Sequence, residues 1–246
     1  MQAQAGTTAA IAAAVFKGRA DRAAPPTPAR PAAASPFDAL EQFGTRRAFR
    51  RGQEVYAAGD PADRCYRVLS GGVRAVGLDE EGRRHVAEFF LPGDLFGLEA
   101  ADARHLSAEA VADTVLVWYP RRAVEAMAER HGALGRRLRE VALQGLRRAH
   151  ETMFLLGRKA AGERVAAFLL EMAERAPADP CRADGARVAL PMTRADIADH
   201  LGLTIETVSR NMARLCRDGT IAATKRGVEI RDRRALRGFG AGTAKH

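Results

Sequence analysis

Cysteine is scarce in this chain and never clustered. Cys65, Cys181 and Cys216 stand far apart, with no Cys-x-x-Cys pair and no histidine at zinc-finger spacing, so no structural metal site is expected. An odd number of isolated thiols without a secretory signal suits a reducing compartment, and the expected location is the cytoplasm. No window approaches the roughly 18 consecutive apolar residues of a membrane span, so no membrane partner is expected. A P-loop, a Gly-x-Ser-x-Gly elbow, a His-Glu-x-x-His pair and a recognisable carboxylate dyad are all missing, which argues against an enzyme.

Acidic charge is in short supply too. The chain carries 39 Lys and Arg against 30 Asp and Glu, a formal net charge of +9, which implies an anionic partner without saying which. The excess has a location: residues 186–246 hold 12 basic against 6 acidic side chains, two-thirds of the total surplus. A basic footprint at the C-terminal end points to nucleic acid.

At 246 residues the chain can form two domains and an extension. Residues 1–36 are mostly alanine broken by Pro25, Pro26, Pro28, Pro31 and Pro36, and hold too few bulky apolar groups to offset the entropy of ordering, so they are expected to be disordered. Residues 37–132 read as an all-β domain. Short β-branched and aromatic runs (54–56, 65–70, 73–78, 83–91, 106–112, 114–119) alternate with turn sequences such as Gly71-Gly72, Asp79-Glu80-Glu81-Gly82 and Pro92-Gly93-Asp94.

After Pro120 the pattern turns helical, with one long helix expected over 133–160. Ala142, Leu146, Ala149, Met153, Leu156 and Ala160 alternate spacings of four and three, the narrow apolar seam of a two-helix coiled coil, and predict a homodimer. A helix packed on its own β domain remains the alternative, because Gly145 and Gly157 weaken the helix. A further amphipathic helix, about 161–175, shows Val165, Phe168, Leu169 and Met172 on one face.

The C-terminal domain is expected over 161–238, with a flexible tail at 239–246. Thr193-Arg194-Ala195-Asp196 is a variant of the capping box and opens a helix with Ile197, Ala198 and Leu201 as its apolar stripe. Gly202 permits a sharp turn, and Thr204 caps a second helix running to about Arg217. With Ile205, Val208, Met212 and Leu215 as its buried face, Glu206, Thr207, Ser209, Arg210, Ala213 and Arg214 point outward. This is the chemistry that meets base edges: arginine binds guanine O6 and N7 together, glutamate accepts from cytosine N4, and serine or threonine suits thymine or phosphate. An ordinary solvated helix face is the bland alternative. Residues 221–231 read as a hairpin around Lys225-Arg226-Gly227, paired with 187–190; this wing would set Lys225 and Arg226 on phosphate. Cys216, near the end of the second helix, and Cys181, in a proline-flanked loop, are the candidate redox thiols, against the simpler role of packing.

Leu155-Leu156-Gly157-Arg158-Lys159 through Phe168, and Thr193-Arg194-Ala195-Asp196-Ile197-Ala198 through Glu206-Thr207-Val208-Ser209-Arg210, resemble the Crp/Fnr regulators, most closely their FixK-type branch. The resemblance covers about Phe37 to Leu236. It implies an α+β fold: an N-terminal antiparallel β-roll of the cyclic-nucleotide-binding kind, a long dimerisation helix, and a C-terminal winged helix-turn-helix. It also implies a transcriptional regulator that binds double-stranded DNA as a homodimer at a TTGAT-N4-ATCAA-like palindrome. Glu206, Ser209 and Arg210 would read bases there, with Thr193, Thr204, Thr207, Arg214, Lys225 and Arg226 on the backbone or in support. RNA polymerase is a further candidate partner.

Departures from the family concern the signal. The first 64 residues hold no cysteine, which rules out the clustered thiols of an iron–sulfur sensor. In the cassette after Pro92-Gly93-Asp94, Leu106 stands where cyclic-nucleotide members carry the arginine that neutralises the phosphate, although Glu99 and Arg104 are nearby. A regulator without cofactor or effector is therefore expected. The alternative is a haem- or nucleotide-gated sensor of the same family, with His85, His105, His131 and His150 as the available axial ligands.

Overall fold

The structure, a computed structural model, describes residues 37–99, 101–175 and 186–239. The stretch 1–36, most of the expected C-terminal tail and Cys181 lie outside the described residues.

A short 3-10 helix, Asp38–Phe43, leads into eight strands. They are β1 (Thr45–Phe49), β2 (Glu54–Tyr56), β3 (Arg64–Ser70), β4 (Val73–Leu78), β5 (Arg84–Phe90), β6 (Leu95–Phe96), β7 (Ser107–Ala110) and β8 (Thr114–Pro120). They pair as two four-stranded antiparallel sheets, in the orders β1-β8-β3-β6 and β2-β7-β4-β5. Side chains alternate sides along each strand, so Val68, Val73, Ala108 and Leu116 from both sheets close one interior in which Tyr66 stacks on Phe96 and Tyr56 lies tilted against both. β4 and β5 join through the acidic turn, where Asp79 accepts hydrogen bonds from the backbone N–H groups of Glu81 and Arg83 at 3.1 and 2.8 Å.

The helical pattern after Pro120 resolves into two helices, the second of which is the long helix expected over 133–160. α1 (Arg121–Arg130) stops at His131, whose extended backbone (φ −115°, ψ 90°) interrupts the helical path, and α2 (Gly132–Arg158) begins at once. Leu134 is buried against the roll and α1, with Leu138 and Val141 following on the same side. Farther along, Arg148 pairs with Glu88 of β5 at 2.7 Å, and Leu155 packs against the C-terminal core. The other side of α2 is bare of cover: Leu143, Leu146, Met153 and Phe154 are all more than half exposed. α2 ends two residues short of the expected Ala160, because Lys159 is extended (φ −99°, ψ 144°).

α3 (Ala161–Arg175) follows. The Arg164 guanidinium bridges the junction, donating to the carbonyls of Leu156, Lys159 and Leu201 at 2.7, 2.9 and 3.0 Å. Carbonyls at helix ends have no partner inside the helix, so one arginine here satisfies those of two helices and fixes the angle between α2 and the C-terminal domain.

That domain contains β9 (Ala186–Ala189), α4 (Arg194–Leu201), α5 (Ile205–Arg217), β10 (Ile221–Thr224), β11 (Gly227–Ile230) and α6 (Arg233–Gly238). The wing sheet runs β10-β11-β9, antiparallel throughout. Gly227 is needed where β11 meets β9, since a Cβ there would lie 2.0 Å from the Val188 carbonyl oxygen. The core of Val165, Phe168, Leu169, Leu201, Val208, Leu215, Ile221 and Ile230 also takes in Val86 and Phe89 from β5. One apolar cluster therefore runs from β5 into the C-terminal domain, beside the interior that the roll keeps for itself.

Candidate nucleic-acid interface

The site begins with a helix cap. Thr193 Oγ1 accepts from the Asp196 N–H at 3.1 Å, and Asp196 accepts in return from the Thr193 N–H and hydroxyl at 2.9 and 2.8 Å. This closes the capping box and fixes the start of α4. Gly202 ends α4 in the left-handed region (φ 60°, ψ 43°), half-buried Leu203 packs on the core, and Thr204 Oγ1 caps α5 by accepting from the Thr207 N–H at 3.2 Å.

α5 lies with Val208, Met212 and Leu215 buried. Ile205 was expected beside them but is 48% exposed: it is the first residue of the helix, and helical side chains lean toward the N-terminus, past the start of the packed turns. Glu206, Arg210, Ala213 and Arg214 are exposed, as expected of an outward face. Arg210 sits one turn beyond Glu206, and neither makes an ion pair with a described residue. Ser209 is half-buried, and its hydroxyl accepts from Arg194 at 3.2 Å, a partner on α4 that the sequence did not single out. The Thr207 hydroxyl is shared with Thr204 at 3.0 Å. Arg214 is partly committed, its guanidinium lying 5.2 Å over the Phe239 ring. Lys225 and Arg226 are exposed at the tip of the β10–β11 hairpin.

The base of the site is a charge network that joins it to the roll. Asp196 is 1% exposed and is held by Arg74 of β4 and by Arg84 of β5, the latter at 3.1 Å. Arg74 also pairs with Glu109, and Arg84 with Asp199 at 2.5 Å. Burial alone would raise the Asp196 pKa. The hydrogen bonds from Thr193 and the charges of Arg74 and Arg84 outweigh that, and hold the carboxyl below its ordinary range. His200, at the end of α4, donates from Nδ1 to the Val86 carbonyl at 2.9 Å, and its burial pushes the imidazole pKa below its usual value.

Cys65 is buried, and desolvation pushes its thiol up to about 11. Cys216 is exposed on α5, which argues against a purely packing role.

In the roll, Arg104 is 3% exposed and held from several sides, although its Nε has no partner. It donates to Glu99 at 2.5 Å and to the Arg64 carbonyl, and its guanidinium lies 4.3 Å over the ring of Tyr56. Leu106 instead lies against Gly77. A cavity of about 250 Å³ between roll and helices is lined by Glu88, Glu99, Glu171, Arg148 and Arg175 among apolar groups. Each guanidinium by this cavity already faces a carboxylate, Arg104 with Glu99, Arg148 with Glu88, and Arg175 with Asp94 and Glu171, so a cyclic-nucleotide phosphate would have to displace one of these to gain its cation. His85 contacts the Asp199 carbonyl at 3.1 Å, while His105 and His131 are exposed in separate loops and His150 is exposed on α2. Among the described residues no three His, Cys, Asp or Glu side chains gather as metal ligands.

Residues 163–239 match the Crp-like helix-turn-helix domain and residues 46–131 the cyclic nucleotide-binding domain. Over 190 residues the chain is 43% identical to the nitrogen fixation regulation protein FixK of Rhizobium meliloti, covering 77% of this chain and 84% of that one. The FixK protein of Azorhizobium caulinodans is 42% identical over 205 residues, covering 83% and 82%. The chain belongs to the Crp/Fnr family, in its FixK branch. The solved structure of FixK2 from Bradyrhizobium japonicum superposes with a TM-score of 0.71 at 40% identity, covering 78% of this chain and 95% of that one. Membership makes the chain a DNA-binding transcriptional regulator and not an enzyme, with the α+β arrangement of roll, long helix and C-terminal helix-turn-helix domain that the Crp/Fnr resemblance implied. None of its described helices is long and apolar enough to cross a membrane.

Proposed function

We propose that the protein acts as a homodimer on a palindromic duplex of the TTGAT-N4-ATCAA type, with α5 of each protomer in a major groove. The observation that carries this reading is the outward face of α5, where Glu206, Ser209 and Arg210 sit on a helix whose other side is fixed by fully buried Val208 and Leu215. A rigid helix presenting one carboxylate, one hydroxyl and one guanidinium within two turns can discriminate base pairs by about 1–3 kcal/mol for each good bidentate contact. Thr193 and Thr204 hold the two helices, Thr207 and Arg214 flank the readers, and Lys225 and Arg226 on the wing bind phosphate. Cys216, exposed at the end of the same helix, is the thiol through which oxidation would reach this surface.

Dimerisation is assigned to the uncovered side of α2. The seam of Ala142, Leu146, Ala149 and Met153 is exposed, Leu156 is half-buried, and Leu143 and Phe154 widen the apolar row beyond the expected positions. We also assign activity without a small effector, supported by the internal pairing of Arg104 with Glu99.

Titration of the purified protein against a duplex bearing the palindrome tests this. Two chains per duplex are expected, at least roughly a thousandfold tighter than on a scrambled sequence of equal length. One chain per duplex, or equal affinity for both, would contradict it.

A further inference from the structure

α6 and the residues just before it form a cationic patch that the base-reading face does not use. Arg231, Arg233, Arg234 and Arg237 are all exposed, and none pairs with a described residue. The neighbouring acid, Asp232, is occupied as the helix cap, accepting from the Ala235 N–H at 2.8 Å. Four like charges this close in the chain repel one another, so the patch is at its lowest energy beside an anion.

The fold places this patch next to α5. Its start is tied to the residues just after α5, since the N–H groups of Arg231 and Asp232 donate to the Thr220 carbonyl at 2.9 and 3.1 Å. Its end returns to the middle of α5: Phe239 lies under Arg214, and a Cβ at Gly162 of α3 would touch both Phe239 and Asn211 at 3.2 Å. Leu236 is fully buried and anchors α6 to α3. The arginines are thus carried on a fixed element packed on α3, whose following residue, Phe239, lies under Arg214 of α5 and so joins the patch to the helix that bears Arg210.

We propose that α6 is a second, sequence-independent DNA-binding element, its arginines pairing with phosphates of the strand that borders the groove entered by α5. The proposal rests on α5 being the groove-reading helix and adds phosphate binding outside it. Guanidinium groups suit the task because their fork of N–H donors matches phosphate oxygens.

The test compares the full-length protein with a variant carrying Arg233→Ala, Arg234→Ala and Arg237→Ala, which leaves Leu236 and Phe239 in place. Affinities for the palindrome and for a scrambled duplex are measured across a salt series. Removing one arginine–phosphate pair should reduce the log–log salt slope by about 0.9. A fall of about two to three is expected on both duplexes, with the ratio between them unchanged. A second variant, Arg234→Gln with Arg237→Gln, keeps the polar surface of the helix and should lower the slope by about two. Slopes equal to the wild type in both variants would overturn the proposal. Failure of the wild type to prefer the palindrome would instead count against base reading by α5, and the slope comparison on the scrambled duplex would still decide the role of α6.

Discussion

Leu146→Glu together with Met153→Glu is expected to convert the protein from dimer to monomer and to lower its affinity for the palindrome at least a thousandfold. Leu143, Leu146, Met153 and Phe154 are 59%, 54%, 61% and 63% exposed on a single chain, along a 27-residue helix whose opposite side is already seated on the roll and the C-terminal core. Fully covering such a side chain stabilises by roughly 1.5–3 kcal/mol. Four on each of two helices give on the order of 10 kcal/mol, comparable to the cost of association. Two carboxylates in that seam would face their copies on the partner, removing apolar area and adding repulsion. A monomer reaches one half-site only and loses the effective concentration that links the two. Light scattering reports the mass, and titration the affinity. An unchanged dimer would place the dimer interface elsewhere.

Asp196→Ala should be the most destabilising single change in the helix-turn-helix, costing about 3–5 kcal/mol, the usual loss when one partner of a buried ion pair is removed. The alanine deletes the returning half of the capping box and leaves Arg74, 14% exposed, with Glu109 alone. At this chain length the midpoint of thermal unfolding should fall by roughly 10 °C. Asp196→Asn keeps an oxygen for the Thr193 N–H and should lose less. The pH dependence follows from the sign of the shift. The folded pKa of Asp196 is depressed, so its contribution is present above the ordinary carboxylate value of about 3.9 and is lost as pH falls through the lower folded value. Wild type and Asp196→Asn should therefore differ at neutral pH and converge in acid. A difference that does not narrow at all as pH falls below the ordinary carboxylate range would show that the charge of Asp196 is not what binds roll and C-terminal domain.

Much of this was legible in the sequence because it is local. The Thr193–Asp196 cap, the Gly202 turn and the helical period of Val208, Met212 and Leu215 depend on near neighbours, and the structure places them as that period requires. The wing paired with β9 could be read from β-branched runs either side of Lys225-Arg226-Gly227. What could not be read depends on residues far apart in sequence. Asp196 shows only as a cap until β4 and β5 bring Arg74 and Arg84 to it, across 122 and 112 positions. The exposure of Ile205 depends on how α5 is seated at its first turn, and the break at His131 shows in the sequence only as the neighbouring Gly132. α6 was not legible because six residues hold too few apolar positions to show a period, although Asp232 as cap and Leu236 as anchor were visible signals.

One set of titrations separates base reading by the outward face of α5 from backbone contact by the wing. Arg210→Ala and Lys225→Ala are each measured on the palindrome and on all its single-base variants at several salt concentrations. Arg210→Ala should cost about 1–3 kcal/mol and flatten the preference at one base pair of each half-site. Lys225→Ala should weaken every duplex alike and reduce the salt slope by roughly one. Uniform weakening by Arg210→Ala with all base preferences intact would contradict the account, and would mean that a different face of α5 meets the groove.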